Sequence, residues 1–195
     1  NKAQQDNDTN LDGSIDLYAE YSFGHSVNAA KRDLGATVAT DFSKGAMDAF
    51  ISGRSLIQAN FGTDPVLGEG YQAELVEISK VALANWEKAV AATVVHYIND
   101  VIADYSTFGT PNFDAAAKAN LAKHWSEMKG FALGLQFSQV PVITMTELKA
   151  VHAAFGEAPV LASPEAVTAY VTELEAARAV MQAAYAFNAD NVANW

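Results

Sequence analysis

The stretch 71–105 constrains the fold more than any other part of the chain. It contains no internal glycine or proline, and its residues recur at helical spacing. One stripe holds Leu83, Glu87, Val90, Val94, Tyr97, Val101 and Tyr105. A second holds Ala89, Ala92, Thr93, His96 and Ala103, small enough for a neighbouring helix to approach closely. Length and two-sided apolarity predict a central helix with others packed around it.

The flanking sequence supports the same architecture. Helices are expected over 17–23 and 26–34, with Gly35 as a stop. Another is expected over 44–60, capped by Asp41 or Ser43, with Met47, Phe50 and Ile57 facing inward and Arg54 in the same row. Residues 61–70, with Pro65 and three glycines, form the clearest loop. A helix over 113–137 should turn Leu121, Trp125, Met128, Ala132 and Leu135 inward. Thr144-Met145-Thr146-Glu147 is a capping box for a helix reaching about Phe155. Ser163-Pro164-Glu165 opens the last long helix, 165–187, with Leu174, Arg178, Met181 and Tyr185 on one face. Residues 188–195 read as a polar tail anchored by Trp195. With no strand pattern of useful length, the expected fold is all-α, a single domain over 1–195. Within it, 1–24 form an entry segment and 25–195 a helical bundle.

Of the 195 residues, 50% are hydrophobic and 18% charged, so the chain can build a core. Its formal net charge of -11 argues against nucleic acid and against adsorption to anionic lipid. The absence of cysteine excludes disulfides, thiol nucleophiles and thiolate metal sites. No apolar run approaches the roughly 18–20 residues of a membrane span, so direct membrane insertion is not expected.

Near the amino end lies Asp8-Thr9-Asn10-Leu11-Asp12-Gly13-Ser14-Ile15-Asp16. Oxygen-bearing side chains alternate and a glycine occupies the sixth position, the order of a calcium loop of the EF-hand type. Asp8, Asn10, Asp12, the Ser14 carbonyl and Asp16 are the expected Ca2+ ligands. The twelfth position is Ala19, so the closing carboxylate falls to Glu20, to another segment or to water. An Asp- and Asn-rich turn that merely caps the following helix is the competing reading. With no second copy, the loop suits a structural role.

Four places on apolar faces carry polar side chains: Arg54, Glu87, His96 and the pair His124/Glu127. Burying an isolated charge is costly, so such groups need partners. One reading is an interior network in which Arg54 pairs with Glu87 or Glu127 and the histidines complete the hydrogen bonds. The other is that His124 and Glu127, three apart on one helix, present a transition-metal site for Fe or Zn, supported by Glu87, His96 and Arg54. His25 and His152 are further imidazoles that such a site can draw on. No Gly-x-Ser-x-Gly, phosphate-cradling glycine loop or His-Glu-x-x-His is present.

Three runs occur in order: Asp48-Ala49-Phe50-Ile51-Ser52-Gly53-Arg54; Trp86-Glu87-Lys88-Ala89 continuing to His96-Tyr97-Ile98-Asn99; and Lys123-His124-Trp125-Ser126-Glu127-Met128-Lys129-Gly130-Phe131. Together they resemble the C-terminal half of an uncharacterised family of bacterial cell-envelope helical proteins, catalogued only as a domain of unknown function and related to imelysin-like proteins. The resemblance implies an imelysin-like helical bundle, exported or lipid-anchored, linked to acquisition of iron or another metal. His124-Trp125-Ser126-Glu127 matches the His-x-x-Glu part of the imelysin-like signature, but Ala122 and Lys123 stand where its glycine belongs. The resemblance further implies a preceding helical half, so that this chain is a fragment or processed product. Its expected partner is that missing half or another cell-envelope protein. These features lead to an extracytoplasmic, calcium-stabilised binding protein that is not a catalyst. A purely structural or interaction module and a metallopeptidase are the other classes.

Overall fold

A computed structural model of the chain describes residues 13, 24–60 and 69–195. Apart from Gly13, the expected calcium loop and Glu20 lie outside the described residues, as does the helix expected over 17–23. Among the described residues there are seven α-helices and no strand. They are α1 (Gly24–Leu34), α2 (Phe42–Asn60), α3 (Glu69–Asp104), α4 (Ala115–Gly134), α5 (Met145–Phe155), α6 (Pro164–Tyr185) and α7 (Ala189–Asn194). Single 3₁₀ turns, Tyr105–Thr107 and Leu135–Phe137, extend α3 and α4.

The central helix is α3, at 36 residues the longest of the seven. Through its middle, Ala89, Ala91, Ala92, Val94, Val95, Ile98 and Val101 are all completely buried. Such burial on every side follows from helices packing around it: α1, α2, α4, α6 and α7 all contact α3. Each large apolar side chain removed from water contributes about 1.5–3 kcal/mol, so this helix carries the core. Among the described residues, no helix is long and apolar enough to cross a membrane.

Local capping signals place most helix starts. Asp114 accepts from the Ala116 and Ala117 amides, both at 2.9 Å, to start α4. Thr144 and Glu147 form the reciprocal capping box of α5, and Ser163 caps α6 with Pro164 at the first helical position. That helix ends in a Schellman turn: Phe187 N–H donates to the Gln182 carbonyl at 3.0 Å. The turn places Ala186 in the left-handed region, φ 51°.

Three expectations change. Helix α2 starts at Phe42 and is capped by Asp33, whose carboxylate accepts from the Phe42 and Ser43 amides at 2.9 and 2.8 Å. Its buried residues are Phe42, Ala46, Ala49 and Gly53, whereas Met47, Phe50 and Ile57 are 59%, 46% and 43% exposed. Small residues win the inward face because α2 lies close against α3. A Cβ on Gly45 would stand only 2.7 Å from the Asn85 amide. The third change is the tail. Residues 188–195 contain α7, started by Asn188, which accepts from Asp190 N at 2.8 Å. Buried Asn191 pairs with both backbone groups of Val38, at 2.7 and 2.8 Å. Trp195 closes the segment against the rings of Phe42 and Phe187.

Candidate functional site

The five residues singled out for an interior site separate into four places. Glu87, on α3, is 6% exposed and fully engaged. Its Oε1 accepts from Val142 N at 2.8 Å and Tyr185 Oη at 2.9 Å, and its Oε2 accepts from Ser138 Oγ. Burial, and then the Glu87 charge, push the Tyr185 phenol far above its ordinary value, so it remains a proton donor. This knot ties the α4–α5 connection and the end of α6 to the central helix. Arg54 takes no part in it. It is exposed on α2 beside an apolar cavity of about 410 Å3 between α2 and α3, lined also by Phe50, Ile57, Leu75, Ile78 and Trp86.

His96 and His124 meet at a third place, around two aspartates. His124 Nδ1 lies 2.8 Å from Asp104 Oδ2, so that Nδ1–H donates and Nε2 is left facing Asp100 Oδ2 at 3.9 Å. His96 Nε2 is 3.4 Å from the same Asp100 oxygen. Positions 96, 100 and 104 share one face of α3 because they are spaced by four. Burial, reinforced by the nearby Arg32 guanidinium, lowers the His96 pKa below its ordinary value. Arg32 also approaches Asp100 and Tyr97, and its own pKa is lowered by burial. Among the described residues, no three His, Cys, Asp or Glu side chains are disposed to hold one metal ion.

Glu127 points elsewhere. Its charge acts on Tyr97, whose phenol is raised by burial and then by Glu127. The Tyr97 ring stacks on Phe131, centroids 5.6 Å apart and planes 18° off parallel. Glu127 Oε2 is buried without a hydrogen-bond partner. Lys123 Nζ stands 3.9 Å away on a side chain that is 63% exposed.

Beside Glu127 opens a groove between the start of α1, the middle of α3 and the end of α4. Its first cavity, about 390 Å3, is lined by His25, Asn28, Val90, Glu127, Phe131 and three glycines, Gly24, Gly130 and Gly134. A second, about 480 Å3, shares His25, Val90 and Gly134 and continues past Leu83, Trp86, Glu87 and Phe137 to Ser138 and Gln139. The walls are mainly hydrocarbon and aromatic, with Glu127 as the charge in the first cavity. That combination is the usual make-up of a small-molecule pocket. His25 sits on its rim with its ring 5.3 Å from that of Trp86. His152, on α5, does not line the groove, and burial and Lys129 lower its pKa.

The groove residues Asn28, Phe131, Gly130 and Gly134, and the aspartates Asp100 and Asp104, were not marked by sequence reasoning. For the aspartates a signal existed, their spacing of four and eight from His96. Comparison with protein-family models, curated proteins and solved structures finds no match to this chain.

Proposed function

We propose that this chain is a calcium-stabilised helical binding domain of the bacterial cell envelope, not a catalyst, whose ligand occupies the α1–α3–α4 groove. The observation that carries the reading is the groove itself: two adjoining cavities, mainly apolar along their walls, with the Glu127 carboxylate lining the first and the fully engaged Glu87 lining the second. The strongest acid–base candidates are engaged with one another, His124 with Asp104 and Glu87 with three donors. A calcium loop at Asp8, Asn10, Asp12, Ser14, Asp16 and Glu20 accords with Gly13, whose φ of 86° suits the sharp turn of the sixth loop position. An extracytoplasmic setting fits a loop of this kind and the resemblance to exported helical proteins. Iron or zinc at His124 and Glu127 is not part of this reading, because His124 is bonded to Asp104 and no third ligand joins the pair among the described residues. Zn2+ titration should then give equal heats for the wild type and His124→Ala.

The neutral dye Nile red tests the groove. Gly134 borders both cavities, and a Cβ there meets nothing within 4 Å. Gly134→Leu should therefore fill the groove without disturbing the fold. Dye fluorescence should rise with the wild type, fall at least fivefold with Gly134→Leu, and persist with Ile57→Ser. Loss with Ile57→Ser alone would overturn the assignment.

That outcome would favour a second reading, an interaction module for another helical segment or another envelope protein. Its observation is the exposed apolar row Met47, Phe50, Ile51 and Ile57 on α2, beside the apolar cavity between α2 and α3.

A further inference from the structure

We infer that the groove is built for an amphiphilic amine, with Glu127 as the counter-ion of its ammonium group. This rests on the groove being the binding site and goes further by naming the chemistry of the ligand. Glu127 supplies an Oε2 that is enclosed by protein yet accepts no hydrogen bond. A buried carboxylate oxygen in that state favours a donor that carries positive charge. The Tyr97 phenol lies within reach of the Glu127 charge, and its ring stacks on Phe131 in the groove wall. Lys123 screens the group from 3.9 Å, beyond hydrogen-bond length, and its exposure leaves it free to swing aside.

The remainder of the groove specifies what is attached to the ammonium. Phe131 lines the same cavity as Glu127 and adds an aromatic ring to its wall. Beyond it, Val90 and the bare backbone at Gly130 and Gly134 leave a channel into the second cavity, where Leu83 and Trp86 continue the apolar wall. A cationic head with a short hydrocarbon body matches that sequence of surfaces. An anionic head would meet Glu127 and a chain of net charge -11. A bare transition metal would lack a third ligand of the His, Asp or Glu type among the described residues.

Calorimetric titration at pH 7.5 with n-hexylamine, its neutral counterpart 1-hexanol, and Glu127→Gln tests this. Hexylamine should bind saturably, at least tenfold more tightly than hexanol. Glu127→Gln keeps the size of the side chain and removes its charge, so it should weaken hexylamine at least tenfold and leave hexanol unchanged. Equal affinity for amine and alcohol, with both lost in Gly134→Leu, would overturn the amine and preserve the groove. Hexylamine binding that is indifferent to Glu127→Gln would also overturn the amine assignment. If neither probe binds while Nile red still does, the cationic ligand falls and the groove again stands. Loss of all three would refute both.

Discussion

Replacing Glu87 probes the account of the interior in the most quantitative way. The carboxylate gathers three donors into a site where the glutamate is 6% exposed and Tyr185 only 4%. Glu87→Ala removes their acceptor. Ser138 Oγ and the Val142 amide lie near the surface and can turn to water, but the Tyr185 hydroxyl is enclosed. Leaving it unsatisfied costs about 1–3 kcal/mol, and each hydrogen bond to a charged group contributes about 1.5–3 kcal/mol before water recovers part of it. Their combination gives about 3–5 kcal/mol. Glu87→Gln behaves differently. Its carbonyl can still accept from Val142 N and Tyr185 Oη while its amide donates to Ser138 Oγ, so its cost is about 1 kcal/mol. For a domain of this length each kcal/mol moves the melting temperature by about 2–4 °C. Urea unfolding followed by circular dichroism, with thermal melts alongside, should separate the two variants clearly. A Gln variant as unstable as the Ala variant would show that charge, not the count of satisfied donors, holds the knot. An Ala variant within about 1 kcal/mol of wild type would refute the knot altogether.

Three further outcomes follow from the same structure. If the loop from Asp8 to Glu20 binds calcium, EDTA should lower the melting temperature and excess Ca2+ restore it; an identical melt would remove the loop from the account. Ala186 holds a left-handed φ of 51° that glycine adopts at no steric cost. Ala186→Gly should therefore stabilise by about 0.5–1 kcal/mol in urea titration, after allowance for the more flexible unfolded chain. His96 and His152 both have pKa values lowered in the fold, chiefly by burial. The unfolded chain then takes up protons first, near the ordinary imidazole value of about 6.5. Stability should fall as pH drops through that value towards the folded ones, and a His96→Gln/His152→Gln double variant should flatten the slope between pH 7.5 and 5.5.

Signals carried within one or two helical turns were readable in the sequence. The Thr144–Glu147 capping box, the Ser163–Pro164 helix start and the unbroken period of α3 all depend on near neighbours, and the all-α class followed from them. The interior of the site depends on distant ones. Glu87 meets Ser138, Val142 and Tyr185 across separations of 51, 55 and 98 residues, so no spacing rule connects them. It was paired with Arg54 in expectation because both sit in helical rows with apolar neighbours. The reversed face of α2 has a different cause. Large side chains usually mark the buried stripe, but here close approach to α3 selects Ala46, Ala49 and Gly53. Likewise Asp33, at the end of α1, captures the cap of α2 from the nearer Asp41 and Ser43. Glu127 was recognised as a functional candidate, yet its partners in the groove are glycines and hydrocarbon, which no ligand motif marks.

The most direct test of the binding assignment is a 1H–15N correlation titration of the labelled protein with n-hexylamine. Saturable shifts should cluster at the amides of Asn28, Gly130, Phe131 and Gly134, around the two cavities beside Glu127. Shifts confined to the α2 face around Met47, Phe50 and Ile57, or no saturable shifts at all, would contradict the groove as the ligand site of this domain.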